Sequence, residues 1–121
     1  MARILIVDDS PLVRQSLQAT LSGAGYETAV AEDGIGALAM VRRESFDLVV
    51  ADLNMPKLDG VGLVRLIREH QAHQNLPVLM LTSSQSTAQR QSSRSAGATG
   101  WMVKPFEPSL LLTTIGQLLG C

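Results

Sequence analysis

The sequence holds a single cysteine among 121 residues, Cys121. A lone thiol closes no internal disulfide, so nothing in the chain calls for an oxidising compartment. Histidine is nearly as scarce, with only His70 and His73, both in a polar stretch that reads as solvated. Without a Cys/His set, zinc is not the organising ion. An excess of one charge is missing too: ten Lys and Arg stand against eleven Asp and Glu, a formal net charge of −1. With no basic block, the chain lacks the footprint of counterion-driven nucleic-acid binding. No apolar run approaches the roughly 18 residues that would suggest a membrane span. The opening Met1-Ala2-Arg3-Ile4-Leu5-Ile6-Val7 is too short for a signal-peptide core and runs into Asp8-Asp9. The expectation is a cytoplasmic protein. Linkers and repeats are absent, and only a Ser/Gln-rich stretch near residues 83–95 is compositionally biased.

What remains is 45% hydrophobic and 17% charged, a globular composition. The length suits one domain, residues 1–121, with one core. Residues 3–7 read as a buried strand stopped by Asp8-Asp9. Ser10 then caps and Pro11 opens a helix to about residue 22, with Val13, Leu17 and Leu21 at helical spacing. Gly23 and Gly25 end it. Residues 26–31 read as a less apolar, edge strand. Asp33 caps a second helix that buries Ala37, Leu38 and Val41. Leu48-Val49-Val50-Ala51 delivers Asp52 before Asn54-Met55-Pro56 breaks the strand. Asp59-Gly60 opens a third helix with Leu63, Val64 and Ile67 inward. Pro77 precedes a fourth strand, residues 78–81, ending at Thr82. The fourth helix, near residues 83–95, has only Ala88 for an apolar anchor before Ala96, so it is expected to be weakly held. Residues 100–103 form the fifth strand and lead to Lys104-Pro105. Pro108 opens a last helix with a stripe of Leu111, Leu112, Ile115, Leu118 and Leu119.

Five strand–helix alternations predict an α/β fold, a parallel sheet covered on both faces. In such a sheet the strand ends share one edge, where these folds bind ligands. Asp8, Asp9, Asp52, Thr82 and Lys104 all collect there. Taken singly each has a bland reading, as a turn residue, a cap or a solvated lysine. Together they need five coincidences. Two carboxylates about 4 Å apart repel by about 1 kcal/mol in water and about 4 kcal/mol at an effective dielectric near 20. Three in one cleft should raise a pKa or bind a cation. Hard oxygen donors with water in reach suit magnesium. Magnesium beside a carboxylate, faced by a lysine and a hydroxyl, makes a site for phosphoryl transfer, with Asp52 as the natural nucleophile. A competing motif, Gly34-Ile35-Gly36-Ala37-Leu38-Ala39, matches a dinucleotide fingerprint. It carries Glu32-Asp33 where a pyrophosphate should sit, and it leaves Asp8, Asp9 and Lys104 without a role. A hydrolase of small phosphate esters is a second rival. It lacks room for a substrate cap, and Asp52-Leu53-Asn54 ends in an amide where a second acid is usual.

The pattern Val7-Asp8-Asp9-Ser10, Asp52-Leu53-Asn54-Met55-Pro56 with Asp59-Gly60, Leu81-Thr82-Ser83 and Lys104-Pro105-Phe106 resembles the receiver domain of two-component response regulators. The resemblance runs from the first strand to the last helix, and is greatest to single-domain, chemotaxis-type regulators. It implies a flavodoxin-like, doubly wound sheet of order 2-1-3-4-5 with five flanking helices. It implies that Asp52 accepts phosphate from a histidine kinase or phosphotransfer protein. Asp9 would ligate Mg2+ directly, Asp8 largely through water, and Asn54 through its backbone carbonyl, alongside Asp52. Thr82 and Lys104 would bind the phosphoryl oxygens, with Lys104-Pro105 cis. The protein would catalyse only its own phosphorylation and dephosphorylation. It would act on a partner through the fourth helix, fifth strand and last helix, as a monomer or weak dimer. Ser84 and Asn54 hold positions that tune dephosphorylation in the family. Where the family usually carries Tyr or Phe, this chain has Trp101. It is either the aromatic switch that answers Thr82 or a residue half-covering the last strand.

Overall fold

In the computed structural model, which describes residues 2–55, 57–83 and 87–120, the apolar runs form five strands. These are β1 (Arg3–Val7), β2 (Glu27–Ala31), β3 (Leu48–Asp52), β4 (Val78–Thr82) and β5 (Gly100–Val103). All neighbours pair in parallel, in the order β2-β1-β3-β4-β5. Helices α1 (Pro11–Gly23), α2 (Gly34–Arg43), α3 (Gly60–Glu69), α4 (Thr87–Ala96) and α5 (Pro108–Leu118) make the connections. The central strands β3 and β4 are buried at every position. Each buried Val, Leu or Met side chain there contributes roughly 1.5–3 kcal/mol when taken out of water, so these strands anchor the sheet. The edge strand β2 is less covered, as its weaker apolar pattern predicts: Glu27 and Val30 are exposed, Thr28 and Ala29 half-buried, and Ala31 alone of its residues is buried.

Alternate residues of each strand point to opposite faces. Leu5, Val7, Val49, Ala51, Val78 and Met80 pack with α2, α3 and the end of α4. Ile4, Ile6, Leu48, Val50, Leu79 and Leu81 pack with Leu17 and Leu21 of α1 and Leu111 and Ile115 of α5. Helix starts follow the predicted caps. Ser10 accepts from the Val13 amide, Asp33 from Gly36 and Asp59 from Gly62. Glu107 caps α5 with both carboxylate oxygens, on the Ser109 and Leu110 amides. Those two hydrogen bonds hold its carboxyl below the usual range. Gly60 is required by close approach. A Cβ there would lie 2.3 Å from the Met80 methyl, 2.7 Å from the Asp52 carbonyl and 2.8 Å from Leu53 Cα. Its absence lets α3 start directly against the end of β3.

Three details differ from the expectations above. Strand β2 begins at Glu27, because the Tyr26 amide closes the end of α1 on the Leu21 carbonyl. The polar stretch after α3 contains a 3-10 turn, Gln71–His73. Here His70 and His73 lie ring to ring at 4.9 Å. Among the described residues α4 runs Thr87–Ala96, and Ser83 lies outside the helix. Ser84 and Pro56 lie outside the described residues.

Candidate functional site

The carboxyl edge of the sheet carries the chemistry. Strand β1 ends at Val7 and hands Asp8 to the turn before α1, with the Asp8 amide bonded to the Ala31 carbonyl. Asp8 is wholly buried, Asp52 is 6% exposed at the end of β3, and Asp9 is exposed. Oxygens of the three carboxylates lie within 4.8 Å of one another. Lys104, just past β5, bridges two of them: its Nζ is 3.0 Å from Asp8 Oδ2 and 3.1 Å from Asp52 Oδ2. The other oxygens are held from the backbone, Asp8 Oδ1 by the Ser10 amide at 2.9 Å and Asp52 Oδ1 by the Asn54 amide at 3.3 Å. Thr82 ends β4 almost fully buried, and its carbonyl accepts from the Lys104 amide at 2.7 Å. The Lys104-Pro105 peptide is cis.

Electrostatics follow from this crowding. Burial pushes the Asp52 carboxyl up, and the Lys104 charge only partly offsets that while Asp8 adds to it. Burial alone would lower the Lys104 ammonium, but hydrogen bonds and charge from Asp8 and Asp52 outweigh it and raise the net value. The lysine therefore stays charged. The donor set tests well against a magnesium ion. It consists of hard carboxylate oxygens, spaced so that one small cation can reach them, with an exposed Asp9 leaving water access.

The structure brings Asp8, Asp9, Asp52 and Lys104 into one cluster, with Thr82 on the adjoining strand end and Asn54 beside Asp52. Trp101 lies apart, half-buried in the layer beneath α4. Its Nε1 donates to Ser93 Oγ, and Arg94 stacks over the ring at 5.2 Å. Two residues of this region are missed by sequence reasoning. Ser93 is wholly buried although it sits in a polar helix, and its three-residue spacing to buried Ala96 is the available signal. Arg14 donates from Nη1 to the Asp8 carbonyl at 2.7 Å. The rival dinucleotide motif has an ordinary structural cause. Asp33 occupies the N-terminus of α2 with its own carboxylate, and a Cβ on Gly34 would lie 2.4 Å from the Leu58 carbonyl.

Residues 4–116 match the family model of the response regulator receiver domain. The chain belongs to that family. Among relatives of this receiver, the response regulator MprA of Mycobacterium leprae is 43% identical over 97% of the chain. The receiver spans about half the length of the curated relatives it matches, 50% in that case. The chemotaxis protein CheY4 of Vibrio cholerae is 42% identical, with a TM-score of 0.94 over 98% of both chains. The receiver domain of the Pseudomonas aeruginosa sensor histidine kinase PA1611, solved with a magnesium ion in its active-site cleft, is 28% identical. Its TM-score is 0.93 over 99% of this chain and 98% of that one. The chain is thus a signalling domain of the two-component type, in a family that takes phosphate from histidine kinases and acts on downstream partners. No helix among the described residues is long and apolar enough to cross a membrane.

Proposed function

We propose that the protein is a cytoplasmic phosphoacceptor that takes a phosphoryl group onto Asp52 and passes the signal through α4, β5 and α5. The observation that carries this reading is the cluster of Asp8, Asp9 and Asp52 bridged by Lys104 at the sheet edge. Asp8, Asp9, Asp52 and the carbonyl of Asn54 would hold Mg2+. When bound, the ion supplies positive charge against the phosphoryl oxygens. An Asp52 carboxylate oxygen forms the new bond to phosphorus as the bond from phosphorus to the donor imidazole nitrogen breaks, and the imidazole leaves. Lys104 already points between Asp8 and Asp52, so its ammonium needs little movement to meet an incoming phosphoryl oxygen. The Thr82 hydroxyl supplies the second contact. The protein turns over no external metabolite.

A donor protein must reach the same edge. An apolar groove of about 400 Å³ runs between α1 and the start of α5, lined by Leu12, Val13, Pro105, Phe106 and Pro108. Lys104 lines it as well, so the groove adjoins Asp52. This groove is where a histidine kinase or phosphotransfer protein would dock to present its phosphohistidine to Asp52.

The output face is α4, β5 and α5, and its target is a partner protein, of a chemotaxis or motility system by the likeness to CheY4. Phosphate acts there by population shift, and so must favour one conformer over another. Residues 86–95 hold no apolar side chain but Ala88. Weakly anchored segments are where switching elements are found. Trp101, bonded to Ser93 and stacked by Arg94, ties β5 to α4 and reports on their packing. Trp101 fluorescence is expected to change with magnesium and again, saturably, with beryllofluoride, a phosphoryl mimic. The beryllofluoride response disappears in Asp52→Asn. A beryllofluoride response that persists in Asp52→Asn would defeat the reading.

A further inference from the structure

Arg14 stands where a helix does not favour a cation. It is the fourth residue of α1, at the end of the first turn, where the N-terminus carries partial positive charge and no acidic residue balances it. Local preferences broken without an obvious gain mark functional positions. The gain here is geometric. Helical side chains lean back towards the N-terminus, so Arg14 covers the turn that precedes its own helix. Its guanidinium meets the Asp8 carbonyl at 2.7 Å. That carbonyl belongs to a wholly buried residue past the end of β1, and Arg14 is its hydrogen-bond partner among the described residues.

Every polar group of Asp8 is thereby held. The amide goes to the Ala31 carbonyl, Oδ1 takes the Ser10 amide, Oδ2 takes Lys104, and the carbonyl takes Arg14. Arg14 fixes the peptide that joins Asp8 to Asp9, and that peptide sets how the two carboxylates diverge. We propose that Arg14 is a positioning residue of the acidic crevice: by clamping the Asp8 carbonyl it holds the Asp8–Asp9 turn in the shape that offers both carboxylates to one divalent cation. This rests on the magnesium reading of the site given above. The contact is a single N–H donated by a long cationic side chain, so a lysine at this position should replace it in part.

Charge and position make opposite predictions. If Arg14 acted only as a nearby cation, its removal would tighten magnesium binding. As a positioning residue its loss weakens binding, by about tenfold on the scale of outer-shell metal partners. The experiment is calorimetric titration of the full chain with magnesium chloride, in wild type, Arg14→Ala, Arg14→Met and Arg14→Lys. Arg14→Met keeps the apolar stem and serves if Arg14→Ala does not fold. The expected order of affinity is wild type, then Lys, then Met and Ala. Unchanged or tighter binding in Met and Ala overturns the proposal. A second readout needs no metal. The Ser10 amide, bonded to Asp8 Oδ1, should lose exchange protection in Arg14→Met while amides of Val49 and Val50 keep theirs. If Ser10 is unaffected, the clamp is not what orders the turn and the proposal fails. If wild type itself binds no magnesium, the reading of the site fails, and the Arg14 clamp is judged on the Ser10 amide alone.

Discussion

Asp52→Asn is expected to take no phosphoryl group from acetyl phosphate and, without metal, to melt at a higher temperature than wild type near neutral pH. The first effect is loss of the nucleophile, because an amide oxygen does not form the acyl phosphate. The second comes from burial. The Asp52 carboxyl is raised because its ionised form is poorly solvated and lies beside Asp8. A raised acid binds its proton more tightly folded than unfolded. Its charge therefore opposes folding above the folded pKa, and the penalty fades as pH falls through that value towards the ordinary 3.8. Asparagine keeps the shape, drops the charge and leaves Lys104 paired with Asp8. The gap in Tm between variant and wild type should thus be widest near pH 7 and shrink on acidification. Thermal scans across that range check it. A wild type more stable than Asp52→Asn at pH 7 without metal would contradict the origin given for the shift.

Lys104→Met has the largest expected effect on stability. It removes the cation from between two buried carboxylates while leaving both in place. Breaking one side of a buried ion pair costs about 3–5 kcal/mol, and the lower end applies because a fifth of the Lys104 side chain meets solvent. Methionine preserves most of the stem, so packing loss does not explain the result. Magnesium should restore more stability to this variant than to wild type, since a divalent ion replaces the missing charge. Denaturant unfolding with and without magnesium checks both statements. Equal stability of Lys104→Met and wild type in the metal-free state would mean that the bridge is not what neutralises the cluster.

Much of this architecture is legible in the order of the residues. Apolar runs of four to five residues at regular intervals specify a parallel sheet, and parallel strands send their ends to one edge. That topology alone gathers Asp8, Asp9, Asp52, Thr82 and Lys104, whatever the intervening helices do. Caps are readable at Ser10, Asp33 and Asp59 because short polar side chains reach back to amides. The Glu107 cap is not, since only Pro108 advertises the helix start there. The burial of Ser93 is hidden because a hydroxyl reads as solvated until a partner, here the Trp101 indole, is brought to it by the sheet. The link between Arg14 and Asp8 is hidden for a similar reason. A basic residue on an amphipathic helix looks like surface, and only the backward lean of its side chain brings it to the turn. Lys57 takes a left-handed φ of 69° that composition does not announce.

The central claim is that Asp52 receives the phosphoryl group. The most direct measurement is to incubate the protein with acetyl phosphate and magnesium, reduce the product with borohydride and map the modified residue by peptide mass. An aspartyl phosphate is cleaved by the reductant to homoserine, which marks its position in the chain. The expected result is homoserine at position 52, dependent on magnesium. Homoserine at position 8 or 9, or none after labelling that alters Trp101 fluorescence, would contradict it.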